Sequence, residues 1–148
     1  MKGMHIRRVE RADRSEWLRM ARALFEGETL DEDELELERT FSRSDAAVFG
    51  IDRGDGQLGG YVEVGERSIS DGCLTSPVGY IEAWYVDPDL RRSGWGRKLI
   101  EAAEAWSREQ GYTEMGSDAL IENDVSHSAH RHLGFQEVSR VIVYRKDL

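Results

Sequence analysis

Residues 91–96, Arg91-Arg92-Ser93-Gly94-Trp95-Gly96, stand directly before a helical stripe of Leu99, Ile100, Ala103 and Trp106. Glycines on either side of a tryptophan are poor helix formers, so helix propensity does not explain them. Glycine does let a ligand approach the main chain closely. The free N–H groups of a helix N-terminus bind anions, phosphates above all. With Arg91, Arg92 and Arg97 around it, this turn suits a pyrophosphate held by backbone N–H groups and guanidinium forks. Two familiar phosphate motifs do not fit. G-x-x-x-x-G-K-[ST] is absent, and Gly94-x-Gly96 is followed by Leu99 where the dinucleotide fingerprint needs a third glycine.

Other residues carry groups for proton and charge chemistry. Glu82 lies inside the apolar run VGYIEAWYV, residues 78–86. A carboxylate there must be paired, solvated or functional, and its residue type alone leaves those options level. Strand alternation puts Tyr80, Glu82 and Trp84 on one face and Ile81, Ala83 and Tyr85 on the other. Asp118 ends the following strand, at the edge where sites of α/β proteins collect, but turn or cap is the commonest role of an aspartate after a strand. His130 reads equally as a proton donor, a role open to histidine as a residue type, or as a half-buried packing residue. His127, His130 and His132 do not share a helix face, so no zinc site, and no metal, is expected.

These groups must be placed by elements in the order β-α-α-β-β-β-α-β-α-β. Residues 4–10 read as a strand, and Asp13 with Glu16 resembles a capping box opening a helix through Phe25. Residues 31–42 form a second helix with Leu35, Leu37 and Phe41 inward. Strands at 46–51 and 57–66 flank the turn Arg53-Gly54-Asp55-Gly56, and a loop spans 67–77. The strand 78–86, the helix from Gly94 to about Gln110, a strand at 113–117, a helix at 124–132 and a last strand at 138–146 complete the chain. Asn123 most simply caps the helix that follows it.

The 148 residues suit one domain, and 39% hydrophobic residues suffice for a core. A net charge of −9 argues against nucleic acid as partner and is compatible with a cationic substrate. One cysteine, Cys73, allows no internal disulfide, and no long apolar segment is present. The expectation is a cytoplasmic protein without signal peptide or membrane span.

The turn at Arg91–Gly96, together with Asn123 and the later His132-Leu133-Gly134-Phe135, resembles the motif pair of the GNAT acetyltransferase superfamily. A narrower likeness runs through DGCLTSPVGYIEAWYVDPDLRRSG and EMGSDALIENDVSHSAHRHLGFQEVSRVIVYRK, which are similar to the aminoglycoside 6′-N-acetyltransferases. It is carried by Gly72, Cys73, Ser76-Pro77-Val78, Glu82, Ser117, Asp118, Asn123, Ser126, His130 and Leu133-Gly134-Phe135. Ala83, Trp84, Ala119 and Ser139 depart from that pattern, which bears on the shape of the substrate pocket. The resemblance implies a single N-acetyltransferase domain over 1–148 with the GNAT fold, a central mixed, mostly antiparallel sheet flanked by helices. It implies acetyl-CoA as co-substrate, held by Trp84, Tyr85, Val86, Arg91, Arg92, Ser93, Gly94, Trp95, Gly96, Arg97, Asn123 and Ser126.

Phe25, Glu82, Asp118 and Glu137 would bind the aminoglycoside, beside the acidic segment 26–34, whose charges otherwise form a solvated face. Glu82 would take the amine's proton, and main-chain groups at Tyr85–Val86 would receive the acetyl carbonyl. His130, where many relatives carry a tyrosine, would protonate the leaving thiolate, with Tyr144 as the other candidate. The implied activity is direct acetyl transfer to a 6′-amine in a ternary complex, giving antibiotic resistance. The alternatives are another small polyamine, an amino sugar or a protein N-terminus as acceptor, or an acetyl-CoA-binding regulatory domain. A homodimer is expected, covering the apolar last strand.

Overall fold

A computed structural model describes residues 3–25 and 30–148; residues 26–29 of the acidic segment 26–34 lie outside them. The strands are β1 (His5–Arg8), β2 (Ala46–Asp52), β3 (Leu58–Arg67), β4 (Val78–Val86) and β5 (Met115–Ser117). The helices are α1 (Arg14–Leu24), α2 (Leu30–Ser42), α3 (Trp95–Glu109) and α4 (Asp124–His132). The sheet order is β1-β2-β3-β4-β5, antiparallel through β4, with β5 parallel to β4. A parallel neighbour needs a crossover, and α3 supplies it. The mixed, mostly antiparallel sheet is therefore as expected.

Helix α3 covers one face of the sheet. Leu99, Ile100, Ala103 and Trp106 pack on Ala47, Ile51, Val62, Val64 and Ile81. Helices α1 and α2 cover the other, where Trp17, Leu18, Met20 and Leu37 meet Val48, Tyr61 and Ala83. Leu35, expected inward, is exposed. Asp13 makes no capping box with Glu16. Its carboxylate accepts instead from Arg7 and from the Glu10 amide, while Glu16 accepts from the Leu58 amide of β3.

Two corrections matter for the site. In the ladder between β3 and β4, Glu63 opposes Ala83 and Val64 opposes Ile81, so Glu82 is the extra residue of a bulge. A bulge shifts the phase of the strand beyond it. Ala83 and Tyr85 join Glu82 towards α1 and α2, whereas Trp84 and Val86 turn with Ile81 towards α3. The strict alternation expected for this strand is therefore broken at its acidic residue.

The second correction is the last strand. Residues 135–148 form no regular structure, and Val138, Val141, Ile142, Val143 and Tyr144 are exposed. β5 spans three residues, too short an edge to seed a long ladder. The apolar run is continuous rather than alternating, so its pattern does not single out one face for burial against this chain's core.

Candidate active site

After β4 the chain makes a short 3-10 turn, Pro88–Leu90, and runs extended through Arg91. Arg92 then adopts φ 62° and Gly94 φ 87° before α3 begins at Trp95. A left-handed arginine is uncommon, and such residues concentrate where the backbone serves a ligand. Among the described residues, none of the amides from Arg92 to Arg97 donates to another group of the protein; Lys98 is the first that does, to the Gly94 carbonyl at 3.2 Å. The Ser93 hydroxyl fastens the turn to the Leu90 carbonyl at 2.5 Å, and Arg91 Nε donates to the Val86 carbonyl at 2.8 Å.

A Cβ built on Gly94 meets no atom within 4 Å, so the space in front of these amides is open. At Gly96 a Cβ would come 3.3 Å from the Trp84 ring. Arg91, Arg92 and Arg97 are exposed around the turn. Bare N–H groups at a helix start, an open approach and three guanidinium groups fit the pyrophosphate of acetyl-CoA.

The ladder between β4 and β5 ends at Ile81–Ser117, while β4 continues to Val86. The strands thus part before Tyr85–Val86, the stretch expected to receive the acetyl carbonyl. His130 bridges them. Its ring stacks edge-on against Trp84 of β4, 5.5 Å between centroids, and its Nε2 lies 2.8 Å from Ser117 Oγ at the end of β5. His130 Nδ1 is 2.7 Å from the Ser126 carbonyl, which can only accept. That bond puts the hydrogen on Nδ1 and leaves Nε2 to accept from the Ser117 hydroxyl. Asn123 Oδ1 accepts from the Ser126 amide at 3.1 Å and caps α4, as its type suggested. Trp84 Nε1 is buried without a partner among the described residues. Tyr144 lies in the exposed C-terminal segment.

On the opposite face, α1, α2, β3 and β4 enclose a groove of about 560 Å³. Trp17, Leu18, Ala21, Phe25 and Tyr61 give it apolar walls, and Glu36, Glu63 and Glu82 line it with carboxylates. Phe25, at the C-terminal end of α1, is 38% exposed, as an aromatic at a groove mouth should be. Both Glu82 oxygens accept from Arg67, each at 2.7 Å. The Arg67 guanidinium also lies 3.6 Å over the Tyr80 ring, and the Tyr80 hydroxyl donates to Asp118 Oδ2 at 2.5 Å. Burial, then Asp118, pushes the Tyr80 hydroxyl well above its ordinary range, so it stays a donor. Glu82 and Asp118 are thereby joined in one network. Glu137 is not brought to the groove; it is exposed and ion-paired with Arg140.

Tyr85 faces α1 and α2, with Asp87 near its hydroxyl. Burial pushes Asp87 up, but Arg19 and Arg53 donate to it at 3.0 Å and hold it below the usual carboxylate range. The position missed from sequence is Glu63. Its signal was present, a carboxylate between valines in LGGYVEVGER. It is 7% exposed, and burial, then Glu36 and Glu82, pushes its carboxyl up to about 7.

A central sheet split at β4, a turn of unpaired amides behind the split and an acidic groove in front of it fit an acyl-transfer protein. Residues 12–135 match the model of the acetyltransferase (GNAT) family, and the chain belongs to that family. Within it, the chain is similar to aminoglycoside N(6′)-acetyltransferase type 1 of Stenotrophomonas maltophilia, 37% identical over 97% of this chain and 93% of the relative. The enzyme of the same name from Klebsiella aerogenes is 38% identical over 97% and 96%. The solved structure of AAC(6′)-Iy in complex with the bisubstrate analog CoA-S-monomethyl-acetylneamine superposes with a TM-score of 0.92 at 32% identity, covering 99% of this chain and 100% of that one.

Proposed function

We propose that the chain, as a single N-acetyltransferase domain, acetylates the 6′-amine of aminoglycosides with acetyl-CoA, by direct attack in a ternary complex, and so confers resistance. The chief support is one juxtaposition. Unpaired amides from Arg92 to Arg97 lie on the α3 side of β4, an acidic groove lies on the other side, and only the splayed edge of β4 separates them.

The amides and Arg91, Arg92 and Arg97 hold the pyrophosphate; acetyl-CoA supplies the thioester. Main-chain groups of β4 beyond Ile81 face the gap and serve the pantetheine arm and the carbonyl, beside Trp84, Tyr85 and Val86. One oxyanion donor there is worth about 3 kcal/mol of barrier. Asn123 and Ser126 hold the start of α4 and, through it, His130. For the leaving step Nε2 first takes a proton from solvent and donates it to Ser117 Oγ, while the Ser117 hydroxyl passes its own proton to the thiolate. Phe25 packs on a sugar ring, Glu82 attracts the reacting ammonium, and Asp118 binds a second one. Glu137 joins them only if the C-terminal segment repositions.

The exposed apolar residues 138–144 support a homodimer in which a second copy covers them. Val143, 88% exposed, is their extreme. Among the described residues no helix is long and apolar enough to cross a membrane. We place the protein in the cytoplasm, where acetyl-CoA is at hand and Cys73 stays reduced. A CoA-release assay over aminoglycosides, polyamines and peptides tests the activity. Release with aminoglycosides is expected; release confined to polyamines or peptides overturns it.

A further inference from the structure

We propose that Glu63 is the group that receives the proton of the reacting ammonium. The assignment rests on the groove being where the aminoglycoside enters. Glu82, the carboxylate that the sequence pointed to, has both oxygens engaged by Arg67. To serve as the base it must first give up a bidentate ion pair. Glu63 lies across the ladder from Ala83, beside the bulge that turns Glu82 into the same groove. Among the described residues no lysine or arginine is ion-paired with it.

The groups that face Glu63 can be named element by element. From α2 come Glu36, Thr40 and Arg39, with Arg43 just beyond its end; from β4 comes Glu82; β3 itself adds Tyr61 two residues away; α1 contributes Trp17, Leu18 and Ala21, all apolar. The Thr40 hydroxyl is its neutral partner, but that hydroxyl donates to the Glu36 carbonyl at 3.1 Å. Its single hydrogen is thus shared between that carbonyl and Glu63. A nine-tenths-buried carboxylate with two acidic neighbours and, among the described residues, one shared hydroxyl and no ion-paired cation is held ready for a cation or a proton. Burial, then Glu36 and Glu82, pushes it up to about 7, while Arg43 and Thr40 pull the other way. A base poised there is effective at neutral pH.

The step balances within substrate and protein. One N–H bond of the 6′-ammonium breaks, its electron pair stays on nitrogen, and the proton forms an O–H bond on Glu63, now a neutral carboxylic acid. The freed pair attacks the thioester carbonyl. Glu63 returns its proton to solvent as product leaves.

The test is steady-state kinetics from pH 5.5 to 9 with a 6′-amino aminoglycoside and saturating acetyl-CoA, on the wild type, E63Q and E63D. Acetyl-CoA affinity by calorimetry serves as the folding control. E63Q should lose about a hundredfold in kcat/KM for the amine, the low end for general base catalysis. It should also lose the rising acid limb of the profile and keep acetyl-CoA affinity, with E63D recovering part of the rate. An E63Q enzyme with wild-type kcat/KM, or one slowed with its acid limb intact, overturns the role of Glu63 and leaves the aminoglycoside activity standing. A wild type that binds acetyl-CoA but releases CoA with no aminoglycoside overturns both.

Discussion

Glu63→Gln should make the protein more stable at alkaline pH and leave it nearly unchanged in acid. The folded-state carboxyl is pushed up to about 7 from an ordinary 4.5. Below pH 4.5 both folded and unfolded chains carry the proton, and Glu63 costs nothing through titration. Between pH 4.5 and 7 the folded state keeps a proton that the unfolded state has released, so stability falls as pH rises; above 7 the full deficit is present. Each pH unit of displacement corresponds to about 1.36 kcal/mol, which makes that deficit about 3 kcal/mol. Glutamine has the same shape without the charge. Urea unfolding of both proteins at intervals from pH 4.5 to 8.5 gives the difference directly. It should grow by about 3 kcal/mol in favour of E63Q across that range, or roughly 6–12 °C in Tm for a domain of this size. A difference that stays flat with pH would show that Glu63 is not a strained buried carboxylate.

Gly94→Glu should abolish acetyl-CoA binding by calorimetry, because its side chain would enter the open space before the amides at a backbone of φ 87° and bring a repelling charge; unchanged affinity would reject the cofactor assignment. Asp118→Asn should weaken the amine by about 1.5–3 kcal/mol while sparing acetyl-CoA; a rise in the acetyl-CoA KM alone would move Asp118 to the cofactor side. Asp87→Ala should cost about 3 kcal/mol in urea unfolding, since it leaves Arg19 and Arg53 without their shared, nearly buried acceptor; a loss under 1 kcal/mol would contradict that. Sedimentation at micromolar concentration should give a dimer that falls to a monomer when the chain is cut after Glu137; a fully active monomer of 16.9 kDa removes the dimer.

What was legible in the sequence was local. The anion turn could be read because its glycines and arginines are consecutive and its helix has a clean apolar stripe. Glu82 stood out because a carboxylate in VGYIEAWYV breaks the rule of its own strand. Its orientation was not legible: the bulge is an event of pairing between β3 and β4, and no glycine marks it. Glu63 broke the same rule in a shorter apolar run, but its meaning depends on α2 closing over it. His130 could be singled out by type, whereas its link to Ser117 is made by the fold bringing α4 against the end of β5. The last segment has the composition of a strand, but a strand also needs a neighbour, and composition does not supply one. Glu137 went astray with it.

Acetyl transfer to a 6′-amine requires the groove to present that amine across β4 to the thioester held at the CoA turn. The most direct test compares two aminoglycosides identical except for an amine or a hydroxyl at the 6′ position, with acetyl-CoA and the purified protein, following CoA release and locating the acetyl group on the product by NMR. Release is expected only with the 6′-amine, and acetyl on that nitrogen alone. Equal release with the 6′-hydroxyl compound, or acetyl on another amine, would contradict it.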